Sequence, residues 1–103
     1  MIARLWRGVA LASKADAYAT HFMTTVAPHL KNIAGHQGAC LLRRDVAGEV
    51  EFLAVTLWDS LETIKQFAGP DPEVAIVEPE GRAALSEFDS FARHYDVLHG
   101  TLG

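Results

Sequence analysis

Val50-Glu51-Phe52-Leu53-Ala54-Val55-Thr56-Leu57-Trp58 decides the fold. β-branched and aromatic residues are frequent in the run, and turn-forming and helix-starting residues bracket it (Ala47-Gly48-Glu49 before, Asp59-Ser60 after), so it reads as a strand. Successive side chains of a strand point to opposite faces. Leu53, Val55 and Leu57 therefore share one face and Phe52, Ala54 and Trp58 the other, with Thr56 the polar exception. Such a strand keeps neither face in water, and its sheet must be covered on both sides.

The flanking segments supply the rest of that sheet. Residues 36–46 alternate, with Gly38, Cys40 and Leu42 opposite Ala39 and Leu41, and Ala47-Gly48-Glu49 is a turn of hairpin length. Residues 2–11 form a strand with Leu5, Val9 and Leu11 on one face and Ile2, Arg4 and Trp6 on the other. Ser13, with Asp16 three residues on, is predicted to cap a helix carrying Tyr18, Phe22, Val26 and Leu30 as one apolar stripe. Pro28 falls inside that stripe and is predicted to push Ala27 out of helical geometry and to kink or break the helix. Gly35 closes the helical region.

Downstream, Asp59 and Glu62 have capping-box spacing at the start of a second helix, whose buried side is Leu61, Ile64 and Phe67 and which Gly69-Pro70 stops. Residues 70–88 read as a loop with short helical pieces over 72–76 and 81–87. A last strand spans 90–99, with Phe91, Tyr95 and Val97 opposite Ala92, His94 and Leu98. The order β-α-β-β-α-β specifies an α+β, ferredoxin-like fold with a four-stranded antiparallel sheet. Right-handed crossovers put both helices on one face. The other face stays apolar, and a second copy of the chain, in a homodimer, is the expected cover.

Composition narrows the function classes. The chain has 103 residues, the size of one domain spanning 1–103; half are hydrophobic and 21% charged, which is the globular range. A net charge of −4 and a lone basic pair, Arg43-Arg44, disfavour nucleic acid. Cys40 is the one cysteine, so no internal disulfide forms, and it reads as a small buried hydrophobe. The start, Met1 to Arg7, lacks the apolar core of a signal peptide, and no run approaches the ~20 apolar residues of a membrane span. A cytoplasmic protein with no membrane partner is expected. The histidines lack metal-ligand spacing: His21 and His29 are out of phase on a helix, and His94 and His99 face opposite ways on a strand. Without a Gly-rich phosphate loop, and with Gly100-Thr101-Leu102-Gly103 reading as a tail, neither a metal nor a cofactor is expected.

Five short stretches, in their order and spacing, resemble the antibiotic biosynthesis monooxygenase family of the dimeric α/β-barrel superfamily. They are Leu5-Trp6-Arg7-Gly8, Gly35-x-x-Gly38, Leu57-Trp58-Asp59-Ser60, Phe67-Ala68-Gly69 and His94-Tyr95-Asp96-Val97. The resemblance implies a dimer whose two sheets face each other, with a ligand cavity in each subunit between sheet and helices. Members of that family include cofactor-independent oxygenases of polycyclic phenols and anthrones, haem-degrading monooxygenases and quinol monooxygenases. Two departures stand out. The family's cavity asparagine has no counterpart on a strand, since the sole asparagine, Asn32, ends the first helix. No histidine lies between Phe67 and Ala84, where the haem enzymes carry an axial ligand, so haem degradation by that scheme is not expected.

Trp58 matches the family's tryptophan at the end of the third strand, and there it would be a stacking wall for an aromatic ligand, or else a core residue pinning the second helix. Trp6, Tyr18 and Phe67 are candidates for the same wall. His94 sits mid-strand among apolar neighbours. It reads either as a general base for a phenol or enol or as a hydrogen-bonded structural histidine. Tyr95 points the opposite way and, with Arg93, suits the subunit interface. Arg4 shares a strand face with Trp6 and is the candidate anion stabiliser. The expected activity is cofactor-independent monooxygenation of a small electron-rich aromatic, such as a phenol, quinol or anthrone. The alternative is a non-catalytic dimer that binds a small ligand or is purely structural.

Overall fold

β1 (Ile2–Leu11), β2 (His36–Val46) and β3 (Glu49–Trp58) make the body of the sheet in the computed structural model, which describes residues 1–100. β3 lies between the other two, antiparallel to both, with Leu5 opposite Val55 and Cys40 opposite Val55 from the other side. Ala47 and Gly48 join β2 to β3 with φ of 49° and 81°. Positive φ at both central residues is the primed hairpin turn, whose twist matches that of the strands. Two short strands, β4 (Glu87–Phe88) and β5 (Arg93–Asp96), pair with the far edge of β1. The order β2-β3-β1-β4, with β5 also on β1, is that of the ferredoxin-like α+β fold.

The last strand is therefore not the continuous 90–99 segment predicted from the sequence. Between β4 and β5 the chain leaves β1 and pairs with the segment after the second helix: Ala75 N–H donates to Ser90 O and Ala92 N–H to Glu73 O. Val74 and Phe91 bridge there, and Phe91 is 60% exposed. Thr101–Gly103, part of the predicted tail, lie outside the described residues.

The first helical region is a 3₁₀ turn (Ala12–Lys14), α1 (Ala15–His21), a π-helical turn (Phe22–Val26) and α2 (Ala27–Lys31). Ser13 sits inside the 3₁₀ turn and no side chain caps α1, contrary to the predicted capping box. Nor does Pro28 break the helix: Ala27 keeps φ −61° and ψ −44°. The wide turn explains both the continuity and the stripe. Steps of four residues overshoot an α-helical turn by about 40° each, and one π turn reverses that drift. The Ala27 N–H reaches back five residues to Phe22 O, so the donor that Pro28 lacks falls where the ladder changes register. Tyr18, Phe22 and Leu30 all end up buried.

α3 (Leu61–Ala68) is capped by Ser60, whose hydroxyl accepts from Thr63 N–H while the Thr63 hydroxyl accepts from Ser60 N–H. The capping box is thus Ser60/Thr63 rather than Asp59/Glu62. Ile64 and Ala68 are buried, whereas Leu61 is exposed. In the long connection only α4 (Pro79–Ala84) is helical; residues 72–76 are not. No helix among the described residues is long and apolar enough to cross a membrane.

The core on the helix face forms two clusters. Ala10, Ala15, Tyr18, Phe22, Val50, Phe52, Ala54 and Ala84 make one; Leu30, Trp58, Ile64 and Ala68 make the other. Among the described residues no element lies over the opposite face, leaving Leu42 and Tyr95 exposed and Leu5, Cys40, Leu53 and Val55 half-buried.

Candidate functional site

The gap between the two clusters is a cleft. Arg4 and Trp6 of β1 and Ala54 and Thr56 of β3 form its floor, and Tyr18, His21, Phe22, Val26 and Leu30 its helical wall. Phe67 of α3 closes one end, and Ile76, Val77, Glu78 and Gly81 cover it. It encloses about 570 Å³ of atom-free space, part of it open solvent, but the volume open to the centre of a water molecule is about 60 Å³. An apolar cavity of about 150 Å³ takes up benzene, so an aromatic guest here requires the cleft to widen.

Burial is where this cleft departs from ordinary core. Three polar side chains are buried among the described residues, Arg4, His21 and Thr56, and all three line it. Arg4, 5% exposed, is a cation with no carboxylate within salt-bridge distance among those residues. Its Nη1 donates to Pro72 O and to His94 Nε2 (3.0 Å), and its Nη2 donates to Val74 O (3.0 Å). The guanidinium carbon lies 5.7 Å from the centre of the Phe67 ring. Burial pulls its pKa down to about 10. Arg4 thus straps residues 72–74 to the sheet at the gap between β4 and β5.

Two further aromatic rings, Trp6 and Tyr18, line the same cleft. Trp6 donates Nε1–H to Asp89 O at 2.9 Å, and its ring centre lies 6.1 Å from that of Tyr18. The indole lies over Gly8, where a Cβ would come within 2.7 Å of Cη2, so only glycine leaves it room. Burial raises the pKa of the Tyr18 hydroxyl and keeps it neutral. Thr56 accepts a 2.8 Å hydrogen bond from Trp58 Nε1.

The chain has the fold of an antibiotic biosynthesis monooxygenase. A candidate antibiotic biosynthesis monooxygenase from Bacillus cereus superposes with a TM-score of 0.66 at 14% identity, over 99% of this chain and 97% of that one. A mutant of MhuD, crystallised with two manganese protoporphyrin IX per active site, superposes with a TM-score of 0.63 at 19% identity over 100% of both chains. No family model matches the sequence, and no curated protein matches it. Identities this low establish the monooxygenase fold and nothing finer. As shaped, the cleft takes neither a porphyrin nor a single aromatic ring without widening.

Within the monooxygenase fold, Arg4, Trp6, Tyr18 and Phe67 of the predicted site come together around one cleft. Trp58 and His94 do not line it. Trp58 is 0% exposed, with its ring sealed in the second core cluster, and it stands behind the cleft wall, stacked on Phe67 and hydrogen-bonded to Thr56. His94 shares the helix face, opposite Arg4, but sits behind it. Its Nε2 lone pair accepts from Arg4, and its pKa is lowered by burial and by that cation. Asn32 is the exposed C-cap of α2 and takes no part. The sequence reading passed over His21. Its signal was present, since His21 follows Tyr18 by three residues and precedes Phe22, which places it on the buried side of the helix.

Proposed function

We propose that the protein binds a small aromatic with an ionisable oxygen or acidic C–H, and oxidises it with molecular oxygen without a resident cofactor. The observation that carries this reading is that, among the described residues, all three buried polar side chains line one aromatic-walled cleft, and one of them is a cation with no carboxylate in salt-bridge distance. A flat aromatic anion supplies what the site lacks: rings against Trp6, Tyr18 and Phe67, and a negative charge for Arg4. Once deprotonated, an anthrone-type CH₂ passes an electron directly to O₂, and the resulting radicals combine to a hydroperoxide. Cleavage of its O–O bond then leaves R₂C=O, so that R₂CH₂ and O₂ become R₂C=O and H₂O. The protein's part is to deprotonate, orient and desolvate.

Residues 1–103 are proposed to act as one domain, in the cytoplasm, as a homodimer closed over the bare sheet face; the single cysteine suits a reducing compartment. Oxygen uptake with anthrone and with hydroquinone tests the activity. Wild type is expected to consume O₂ above the buffer rate, and Arg4→Met to lower that rate by about 10²-fold, as loss of an oxyanion donor does. Uptake at the buffer rate with both substrates would remove catalysis. The narrowness of the cleft favours, as a second reading, a binding protein that holds the same aromatic without turnover; a thermal shift with no oxygen uptake would establish it.

A further inference from the structure

His21 has a feature that packing does not explain. Its side chain is 6% exposed, yet Nδ1 has no hydrogen-bond partner. A buried ring nitrogen left unpaired is costly, and in a native fold it calls for an explanation. The nearest charge is Glu80 of α4, whose Oε2 lies 3.4 Å from Nδ1 without hydrogen-bond alignment. Gly81 sits against the other edge of the ring, where a Cβ would be 3.4 Å from Nε2, and both His21 and Gly81 line the cleft.

We infer that His21, oriented by Glu80, is the proton acceptor of the cleft for a phenolic or enolic ligand; this rests on the aromatic-anion reading above. A carboxylate on the Nδ1 side holds the ring proton there and leaves the Nε2 lone pair free. The ligand O–H bond breaks, its electron pair stays on oxygen, and the proton goes to Nε2. The Nδ1–H of the imidazolium completes its bond to Glu80, while the new oxyanion faces Arg4. Beside the ring stand Glu80 from α4 and Tyr18 from the same helix, and the other charged groups on the cleft are Glu78 from the segment before α4 and Arg4 from β1. Arg4, on the same cleft, favours the oxyanion. His94 cannot serve, because its Nε2 lone pair is already held by Arg4.

4-Nitrophenol tests this, since its phenol and phenolate forms absorb differently and no turnover is needed. At a pH where the free compound is mostly protonated, wild type is expected to bind it as phenolate. NMR of the His21 ring nitrogens should then show an imidazolium. His21→Gln is expected to bind it with the bound phenolate-to-phenol ratio lowered about tenfold or more, a shift of at least one pKa unit. Glu80→Gln, at an exposed position that leaves folding intact, is expected to lower the ratio in the same direction by a smaller factor. Binding as neutral phenol, or a His21 that stays neutral beside bound phenolate, would overturn the assignment and leave the cleft reading standing. So would loss of the phenolate band in His94→Gln but in neither His21→Gln nor Glu80→Gln. No binding to wild type at all would sink both.

Discussion

Arg4 ties the cleft, the strap over it and the broken edge strand to one side chain. A buried guanidinium is costly to desolvate, and here the cost is met by two backbone carbonyls and an imidazole rather than by a carboxylate. Arg4→Met is expected to lower stability by about 1–3 kcal/mol, because Pro72 O and Val74 O lose their donor. Urea unfolding measures that loss, and faster amide exchange confined to residues 72–76 would show its location. The same substitution predicts a titration change at His94. Burial first and the Arg4 charge second hold its pKa below the ordinary histidine value, so the unfolded chain binds the proton more readily than the folded one. The stability that neutral His94 contributes is complete above its unfolded pKa and is lost as pH falls through the lowered folded value. Removing Arg4 should raise the folded value, seen in the His94 ring resonances, while burial keeps it from recovering fully. An unchanged His94 titration in Arg4→Met would mean that the cation does not act on the imidazole.

Helix α3 depends on its N-terminal cap more than on the length of its apolar side. Eight residues make a marginal helix, and only Ile64 and Ala68 are buried. Ser60→Ala is expected to cost about 1 kcal/mol in urea unfolding, the usual value of a lost hydroxyl cap. Asp59→Ala should cost much less, since Asp59 is not the cap and its carboxylate accepts from the exposed Gln37 amide. The reverse ranking would restore the pairing suggested by sequence spacing. That error shows what local pattern conveys and what it does not. Alternation along 50–58 and the four-residue stripe from Tyr18 to Leu30 are repeated signals of burial, so the sheet, the helices and their order were legible. Trp6, Tyr18 and Phe67 were legible as walls of the cleft, whereas Trp58, read the same way, is core. The choice between Ser60 and Asp59, the π turn that absorbs Pro28, and the split last strand each turn on one hydrogen bond or one change of ladder register. Arg4 meets the carbonyls of Pro72 and Val74 across about seventy positions of chain, and nothing in either segment announces it.

Both faces of the sheet obey the same requirement, and the helices satisfy it for only one. On the bare face Val55 is central, flanked by Cys40 on β2 and Leu5 on β1, with Leu53 and Leu42 beside them and Tyr95 at the β5 edge. Arg93 stands opposite Leu5 at the β5 edge, and toward one end of this face Glu51 bridges Arg7 (2.9 Å) and Arg44 (2.7 Å). Hydrogen bonds to Arg44 and Arg7 hold the Glu51 carboxyl at a pKa of about 2, so its charge is already partnered within one chain. A second sheet laid over Leu5, Leu53 and Val55 would bury apolar atoms without stranding that ion triad. A stable pairing of this kind covers about 800 Å² per partner, and burial at about 25 cal/mol per Å² exceeds the usual association cost. Val55→Glu places a carboxylate where two sheets would meet while leaving the helix-face core untouched. In sedimentation equilibrium, wild type at micromolar concentration is expected to behave as a dimer and Val55→Glu as a monomer. Its circular dichroism should show whether the lone subunit keeps its fold. A monomeric wild type would leave the bare face to some other cover, and a dimeric Val55→Glu would place the contact away from the centre of the sheet.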